Sequence, residues 1–410
     1  MSKLVAAVAA LVAVLAVALP GAFASQEATP GVTRGTVKIG ATFPLSGSGA
    51  VYAPIAAGMQ AYFAYINASP RRRPFGRRIQ FIVYDDQYPN NLPLSLQLTR
   101  RLVEQDRVFA TVGSLGTEPQ QLVRPYMNQR RVPQLYVSTG ATMWGAQHRR
   151  FPWTIGWQPD YQSEGRAYGD EIRRRQPNAR IAVLYSNDDY GRDYLRGFER
   201  GIANANPRIV AREAFEPGSS VTGNVVRLRQ SGANTFLILA IPTPTITAIV
   251  TAYRIGWRPQ LYVNSVSATD TFFSIAASNA GSPDAVRGAI STSYLKDPAS
   301  PAYARDRTVR LYRSILRNHG PQGANPNNGL YFYGMAKAHT FVQTLRRAGR
   351  NPTRGSVMRA ARTIRLNSPW LLPRTRIHSR PRNPFPISTV RLIRWNGQHF
   401  EEFGPLIRTR

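Results

Sequence analysis

A strand, a small flexible loop, a tyrosine and a helix follow one another twice in the chain, and this repeat constrains the fold more than any other feature. The apolar run Val37–Phe43 leads through a loop rich in Ser and Gly to Tyr52 and a helical segment. The stretch 180–198 repeats the order around Tyr190. When a strand is followed by such a loop and then by a helix, the helix N-terminus presents free backbone N–H groups where an anion can bind. The repeat therefore predicts two lobes that face one ligand.

Strand and helix patterns also alternate along the rest of the chain. Apolar runs of strand length, such as Gln134–Val137 and Gln260–Val263, are separated by segments of helix length. This alternation is typical of parallel sheets covered by helices, and 410 residues are too many for a single core. We therefore expect an α/β protein with two Rossmann-like lobes, each built on a parallel-rich central sheet. Asn396-Gly397 further predicts a β-hairpin between the runs 387–395 and 399–403.

The first residues predict export from the cytoplasm. Lys3 precedes the apolar run Leu4–Leu19, and Ala22-Phe23-Ala24 is an A-x-A-like cleavage site. The alternative is an uncleaved membrane anchor, but the run is short against the roughly 17–25 residues that a spanning helix needs. We expect residues 1–24 to form a signal peptide that is cleaved after Ala24, which gives a periplasmic or secreted protein. Because the sequence has no cysteine, we expect neither disulfides nor the lipid anchor of a lipoprotein.

The chain carries a formal net charge of +31, and only four of its 53 Lys and Arg residues are Lys. Such a charge fits a polyanion binder. The arginines are spread along the chain, however, and short clusters such as Arg71–Arg73 lack an aromatic ladder on which bases could stack. We therefore expect no nucleic-acid partner.

The sequence lacks the patterns that carry catalysis or bind a metal. Its five histidines never pair at the spacing of metal ligands, and it has neither a G-x-S-x-G elbow nor a Walker A lysine. The pairs Asp85-Asp86 and Asp188-Asp189 follow strands and fit either paired catalytic carboxylates or turns and helix N-caps. We expect the second role, and therefore no catalytic residue, no metal ion and no cofactor.

Five motifs occur in the order and spacing of a known family: PLSGSGAVY, VYDDQYPN, TVGSLGTEPQQ, VPQLYVSTGAT and LYSNDDYGRDYL. Together they resemble the solute-binding proteins of branched-chain amino acid type ABC transporters, the leucine/isoleucine/valine-binding class, over nearly the whole chain after the signal peptide. The resemblance implies the periplasmic binding protein type I fold, in which hinge strands join two lobes that close on a ligand. It also implies a small-molecule ligand, an ABC transporter permease as partner and a monomer. We assign residues 35–157 plus 293–374 to the first lobe and 158–292 plus 375–410 to the second.

Positions that match the ligand-binding motifs of this family predict the site. Tyr52 and Tyr190 match aromatic residues that cover the ligand, and Thr117 matches the hydroxyl residue that binds its carboxylate beside a helix N-terminus. The other matches form the cleft wall, the loop that holds the polar head and the crossing between the lobes: Leu115, Gly116, Ser138, Thr139, Gly140, Ala141 and Trp157. Val266 lies in the stretch where the family places an acidic residue, and Tyr331 is a further aromatic residue available to the pocket. Purely structural alternatives stay open, namely a tyrosine packed on its own helix, a helix N-cap for Thr117, a turn for 138–141 and hinge packing for Trp157.

One stretch departs from the family. In its amino-acid binders an acidic residue of the second lobe pairs with the ammonium group of the ligand, whereas the corresponding stretch 262–267 has no acid. A buried ammonium without a counter-charge is costly. The hydroxyl groups that hold a carboxylate remain, so we expect an aromatic or branched carboxylic acid without an α-amino group. The alternatives are a branched-chain amino acid binder, a ligand-sensing receptor domain of the same fold and a secreted Rossmann-like enzyme.

Overall fold

The computed structural model describes residues 29–381 and 383–409. The predicted signal peptide, residues 1–24, and its cleavage site lie outside this part of the chain. Within the described residues, every helix is too short or too polar to span a bilayer.

The first part of the chain forms a sheet in which the strands run parallel. Its elements in chain order are β1 (Thr36–Phe43), α1 (Ala53–Asn67), β2 (Arg78–Asp85), α2 (Leu92–Glu104), β3 (Ala110–Val112), α3 (Thr117–Gln129), β4 (Gln134–Val137), α4 (Met143–Ala146) and β5 (Thr154–Gly156). The strand order is β2-β1-β3-β4-β5, and each neighbouring pair is parallel. The inner strands β3 and β4 are buried throughout, as expected for a parallel sheet covered on both faces.

The next part of the chain builds a second sheet in the same way. Its elements are α5 (Tyr161–Arg175), β6 (Arg180–Ser186), α6 (Asp189–Ile202), β7 (Arg208–Phe215), α7 (Thr222–Gln230), β8 (Thr235–Leu239), α8 (Pro242–Arg254), β9 (Gln260–Val263), α9 (Asp270–Ala280) and β10 (Ile290–Ser293). The parallel strands stand in the order β10-β9-β8-β6-β7.

The last part of the chain returns to the first sheet and then completes the second. Its elements are α10 (Arg307–His319), α11 (Gly329–Ala348), α12 (Arg354–Arg362), β11 (Arg365–Leu366), β12 (Ile377–His378), β13 (Thr389–Trp395) and β14 (Phe400–Arg408). Helices α10 and α11 pack on α1, whereas β13 pairs antiparallel with β10 and with β14. The predicted hairpin is therefore confirmed, and Gly397 in its turn has a φ of 111°, which a residue with a Cβ atom rarely adopts.

The chain crosses between the two sheets three times, after β5, after β10 and between α12 and β13. Each sheet has helices packed against it, and each is rich in parallel pairs. This is the two-lobe α/β architecture, joined by hinge segments, that the sequence predicts.

One helix pair in each lobe approaches unusually closely. A Cβ atom on Gly58 of α1 would lie 2.4 Å from the Tyr331 carbonyl oxygen of α11, and one on Gly197 of α6 would lie 2.1 Å from the Gln162 carbonyl oxygen of α5. Glycine inside a helix costs roughly 0.5–1 kcal/mol relative to alanine, so the close approach explains its presence. In the first lobe this contact holds α11 beside the loops that follow β3 and β4.

Candidate functional site

A cavity of about 170 Å³ is lined by residues of both lobes. In the first lobe the lining loops follow β3 and β4, and in the second lobe they follow β8 and β9. The cavity thus lies outside the carboxyl ends of parallel strands, where open α/β sheets bind their ligands. Its volume is below the roughly 300–1,000 Å³ of pockets for drug-sized molecules and suits a ligand of one ring or a short chain.

The predicted site residues fall into three groups in the structure. Those that line the cavity are Tyr52, Leu115, Gly116, Thr117, Ser138, Tyr190 and Val266. Thr139, Gly140 and Ala141 instead line a separate cavity of about 10 Å³. Trp157 and Tyr331 line neither of these two cavities. Contact of any of these residues with a ligand stays a prediction.

The Tyr52 hydroxyl group is the most unusual polar group at the cavity. Tyr52 is 4% exposed, and its hydroxyl oxygen has no hydrogen-bond partner among the described residues. Burial, followed by the phenol groups of Tyr161 and Tyr333, raises the pKa of Tyr52 well above its ordinary value, so the group stays a neutral donor. A buried polar group without a partner calls for an explanation, and a polar atom of a ligand would supply one.

Hydroxyl groups and a helix N-terminus form the first-lobe wall. Helix α3 begins at Thr117, directly at the cavity. The Thr117 hydroxyl group does not cap this helix; it lies 2.7 Å from the Thr139 hydroxyl oxygen. The Ser138 hydroxyl group donates a hydrogen bond to the Gly113 carbonyl oxygen at 2.5 Å. The wall therefore combines two hydroxyl groups with the positive end of a helix dipole, and the free N–H groups at that helix end favour an anion.

The loop after Ser138 stabilises the first crossing between the lobes through direct contacts. The Tyr161 N–H donates to the Gly140 carbonyl oxygen at 2.7 Å, and a Cβ atom on Gly140 would lie 2.3 Å from the Pro159 carbonyl oxygen. The Ala141 N–H donates to Thr139 Oγ1 at 3.1 Å. These contacts favour the structural alternative for residues 139–141.

The structure favours a packing role for Trp157 and Tyr331 over contact with the cavity. Trp157 is fully buried, and its indole N–H donates to Thr340 Oγ1 at 3.1 Å. Two residues after Tyr331, Tyr333 lines the cavity and donates to Gln158 Oε1 at 2.9 Å. Because consecutive helical residues turn by about 100°, Tyr331 and Tyr333 cannot face the same side of α11.

The second-lobe wall is built around Tyr190. Its hydroxyl oxygen accepts a hydrogen bond from the Asn264 side-chain amide at 2.7 Å, and the same amide donates to the Ala240 carbonyl oxygen at 3.0 Å. The Tyr190 ring meets the Tyr161 ring edge to face, with centroids 5.2 Å apart. Val266 completes this wall with an apolar side chain.

A buried carboxylate lies beneath this second wall but does not line the cavity. Glu164 accepts hydrogen bonds from the Ser265 N–H at 2.7 Å and the Ser265 hydroxyl group at 2.8 Å. The hydroxyl groups of Tyr168 and Tyr194 donate to it at 2.6 Å and 3.0 Å. Both carboxylate oxygens are therefore occupied, and a ligand at Ser265 finds no free acceptor on Glu164.

Three further carboxyl groups line the cavity at another place, those of Asp270, Asp297 and Glu402. Burial, followed by the negative charge of Asp297, raises the pKa of Asp270 to about 9. Burial also raises the pKa of Asp297. Asp270 therefore holds its proton at neutral pH.

Glu118 connects the two lobes at the start of α3. Its carboxylate accepts hydrogen bonds from the Tyr88 hydroxyl group at 2.9 Å and from the Tyr190 N–H of the other lobe at 3.2 Å. Burial, followed by the charge of Asp188, raises the pKa of Glu118 to about 7. This inter-lobe contact can therefore change its charge near neutral pH.

The aspartate pairs after β2 and β6 take the structural role expected of them. Asp85 accepts hydrogen bonds from the backbone of Leu45 at 2.8 Å, and Asp188 caps α6 by accepting from the Gly191 N–H at 2.8 Å. In the part of the chain that the structure describes, no cluster of three or more His, Asp or Glu side chains is placed to bind a metal ion.

Sequence reasoning missed two residues of α11 beside the cavity, Tyr333 and Lys337. Lys337 is fully buried one turn after Tyr333, and its amine donates a hydrogen bond to Ser138 Oγ. One signal was available: Lys337 is one of only four lysines in an arginine-rich chain, and it stands between two alanines in a long apolar segment. Lysine is almost never fully buried without a partner, so such a position is conspicuous.

Comparisons with known proteins agree with this geometry. A family model described as periplasmic binding protein matches residues 36–399. A substrate-binding periplasmic protein from Ralstonia solanacearum has a TM-score of 0.77 at 20% identity, over 90% of this chain and 100% of its own. A branched-chain amino acid ABC transporter protein from Thermus thermophilus with bound valine has a TM-score of 0.78 at 17% identity, over 91% and 97%. Among curated proteins, none matches the sequence.

A solute-binding protein of an ABC transporter from R. palustris, in complex with 4-hydroxybenzoate, has a TM-score of 0.74 at 16% identity, over 91% of this chain and 97% of its own. At this level of identity the three structures establish the fold alone. The family model, in contrast, covers most of the sequence. The chain therefore belongs to the periplasmic binding protein family, as its motifs predict.

Proposed function

We propose that this protein is an extracytoplasmic solute-binding protein that captures a carboxylate without an α-amino group between its lobes and delivers it to an ABC transporter permease. The observation that carries the proposal is the contrast between the walls of the cavity. The first wall offers hydroxyl groups, a helix N-terminus and the unpartnered Tyr52 hydroxyl. The second wall offers rings and apolar surface, and its buried acid, Glu164, is already fully hydrogen-bonded.

Each feature of the first wall suits a carboxylate. Thr117 and Ser138 line the cavity, and the first N–H groups of α3 lie beside them. The Ser138 hydroxyl group donates its proton to Gly113 in the structure, so it can donate to a carboxylate only after rotating. Tyr52 can donate without losing an existing hydrogen bond. Hydrogen bonds to a charged group contribute roughly 1.5–3 kcal/mol each, about twice the neutral value. We propose that the ligand carboxylate binds here.

The second wall suits the body of the ligand. Tyr190, Tyr161 and Val266 form an aromatic and aliphatic surface, which fits a flat ring or a branched chain. Related structures hold a ligand with a flat ring and a ligand with a branched chain: the R. palustris protein holds 4-hydroxybenzoate and the T. thermophilus protein holds valine. We propose an aromatic or branched carboxylic acid for this chain.

One observation favours an amino acid as a second candidate. Asp270 and Asp297 line the same cavity, and an ammonium group bound beside them would favour their ionised forms. They lie outside the stretch 264–267, so a ligand that used them would bind in a different orientation. In that case Asp270→Asn should weaken the binding of amino acids and leave simple carboxylates unaffected.

A thermal-shift screen tests the proposal. The panel consists of benzoate, 4-hydroxybenzoate, 3-phenylpropenoate, 4-methylpentanoate, leucine, isoleucine, valine and phenylalanine. Ligands that bind only the folded protein raise its melting temperature, by an amount that grows with concentration relative to Kd. We expect the simple carboxylates to raise it and the amino acids to leave it unchanged. A rise with the amino acids alone would overturn the proposal in favour of the second candidate.

Export and organisation are part of the proposal. We propose a signal peptide cleaved after Ala24, so that N-terminal sequencing of the exported protein starts at Ser25. We propose that the protein acts as a monomer, with residues 35–157 plus 293–374 as one lobe and 158–292 plus 375–410 as the other. Small-angle scattering checks the last two points, because lobe closure on a ligand should lower the radius of gyration without changing the mass.

A further inference from the structure

The side chain of Lys337 ends in a buried amine, and one residue of the first-lobe wall, Ser138, separates this amine from the cavity. Lys337 is fully buried on α11, and its amine donates a hydrogen bond to Ser138 Oγ, which itself lines the cavity. The amine also lies 4.1 Å from the centre of the Tyr333 ring and 5.8 Å from that of Trp157. The lysine therefore reaches the cavity only through Ser138 and Tyr333.

Among the residues that the structure describes, none that surrounds this amine carries a negative charge. The groups that face it come from the loop after β3, the loop after β4, the crossing after β5 and its own helix: Gly113, Ser138, Trp157 and Tyr333. Of these only Tyr333 is titratable, and burial keeps it a neutral phenol by raising its pKa. The side chain of Met59 in α1 and the aliphatic part of Lys337 both pack against Gly113. Across residues 29–381 and 383–409, no carboxylate forms an ion pair with Lys337, whereas Lys296 is paired with Asp306 at 2.7 Å.

An ammonium group in such a place is unfavourable unless an anion joins it. Removal from water disfavours the charged form, and here burial lowers the pKa of the Lys337 amine well below its ordinary value. An anion bound at Ser138 would lie within a few ångströms of the amine in a setting of low effective dielectric constant, where opposite charges attract strongly. The same anion would then stabilise the protonated amine.

We propose that Lys337 makes this cleft select anions: a ligand carboxylate that binds at Ser138 brings a proton from solvent onto the Lys337 amine, so that carboxylate binding and proton uptake occur together. This inference rests on the proposed function, because it requires a carboxylate at the first wall. The amine gains one proton and becomes an ammonium group, and no covalent bond between protein and ligand forms or breaks. Lys337 acts through Ser138 and is therefore a positioning residue rather than a ligand contact.

The linkage has a defined sign. A ligand that stabilises the ammonium form raises the pKa of Lys337 in the complex above that in the free protein. Carboxylate affinity is therefore highest below the pKa of the free protein and falls as the pH rises toward the pKa of the complex. Between the two values, binding takes up as much as one proton. A lysine that merely filled space between α11 and Gly113 would give no such pH dependence.

The small number of lysines allows a direct test in the wild-type protein. With signal-peptide Lys3 removed, the chain has three lysines, Lys38, Lys296 and Lys337. In protein labelled with ¹³C-lysine, we expect the Cε signal of Lys337 to titrate at a lower pH without ligand than with saturating benzoate. A Lys337 signal that titrates at the same pH with and without ligand, or at a lower pH in the complex, would overturn the inference.

Calorimetry of benzoate and 4-methylpentanoate binding at pH 7, in two buffers of different ionisation enthalpy, measures proton uptake. Lys337→Met should reduce uptake by as much as one proton and weaken binding roughly ten- to hundredfold. Lys337→Arg keeps a permanent charge, so it should retain most of the affinity while losing the same uptake. The matched control is Lys38→Met, since Lys38 donates to the Asp106 carbonyl oxygen away from the cavity and should leave uptake unchanged.

The outcomes separate this inference from the proposed function. If carboxylates bind the wild-type protein, and proton uptake on binding is the same in both Lys337 variants as in the wild type, the inference fails and the proposed function stands. If neither probe binds while an amino acid does, the proposed function fails and the inference with it. Because Glu118 also titrates near pH 7, the difference between wild type and Lys337→Met is the decisive quantity.

Discussion

Tyr52 and Tyr190 occupy matching positions at the openings of the two lobes, yet their hydroxyl groups differ in what they contact. The Tyr190 hydroxyl oxygen accepts a hydrogen bond from Asn264 at 2.7 Å. The Tyr52 hydroxyl oxygen is buried without a partner among the described residues. Both rings line the same cavity. The second-lobe wall is therefore satisfied by its own hydrogen bonds, whereas the first-lobe wall leaves a donor for a ligand.

The buried charges of the two walls differ in the same way. Behind the second wall, Glu164 accepts four hydrogen bonds from tyrosine and serine groups. Behind the first wall, Lys337 donates to Ser138 and lies over the rings of Tyr333 and Trp157, and no carboxylate of the described residues pairs with it. From this comparison we propose that the first lobe provides most of the polar recognition and that Tyr190 and Val266 of the second lobe provide a surface of matching shape. A ligand should therefore bind with its carboxylate toward α3 and its body toward Tyr190.

Placing an acid on the second wall should break this asymmetry most strongly. Val266→Asp adds a carboxylate to the wall that lacks a free one, so it should strengthen the binding of leucine and weaken that of 4-methylpentanoate. Close charge pairs across an interface contribute several kcal/mol, so we expect the ratio of the two affinities to change by about a hundredfold. Calorimetry of both ligands measures this ratio.

Val266→Asn is the matched control, because it has the shape of the aspartate without its charge. It should leave the ratio within a few-fold of wild type. An equal change in both variants would mean that shape rather than charge is responsible.

Removing each tyrosine hydroxyl group in turn should sharpen the comparison. Tyr52→Phe removes a donor that lacks a partner in the protein, so carboxylate affinity should fall roughly ten- to hundredfold while the free energy of unfolding stays the same or rises. Tyr190→Phe removes the acceptor of Asn264, so it should cost about 1 kcal/mol of unfolding free energy and change carboxylate affinity less. Urea denaturation and calorimetry measure the two quantities. The reverse pattern would assign polar recognition to the second lobe.

The smallest expected effect concerns the contact that joins the two lobes. Glu118 has a pKa of about 7 where it meets Tyr190, against about 4.3 for a solvated glutamate. An arrangement of the lobes that keeps this contact therefore binds the proton more tightly than an open arrangement in which Glu118 is solvated. Closure should become more favourable as the pH falls from about 7 to 4.3, and should not change further above or below that window.

Small-angle scattering without ligand should show a smaller radius of gyration at pH 5.5 than at pH 8. Glu118→Gln cannot titrate, so its radius should be the same at both pH values. A variant that responds to pH as the wild type does would assign the effect to another group.

The parts of the site that lie close together in sequence could be predicted, because short motifs carry them. Tyr52 and Thr117 follow β1 and β3 within ten residues, and both strands end at the same edge of a sheet. The loop 139–141 also lies next to a predicted position, but its contacts with Pro159 and Tyr161 depend on the crossing that follows β5. Such contacts are set by packing between lobes rather than by local pattern.

The contributions of α11 could not be predicted for the same reason. Lys337 meets Ser138 across 199 positions of the chain, and this meeting depends on the close approach of Gly58 to α11. The prediction of Tyr331 rather than Tyr333 depended on which face of α11 turns toward the cavity. The alternating pattern of elements predicts that α11 exists. The rotation of α11 about its axis is set by the residues to which it is hydrogen-bonded.

The central claim is that the cleft binds a carboxylate and rejects the ammonium group of an amino acid. Calorimetry of two matched pairs tests it most directly: leucine against 4-methylpentanoate, and phenylalanine against 3-phenylpropanoate. An unpaired buried charge costs roughly 3–5 kcal/mol, so the compound without the amino group should bind about two to four decades more tightly in at least one pair. Equal or tighter binding of the amino acid in both pairs would contradict the account.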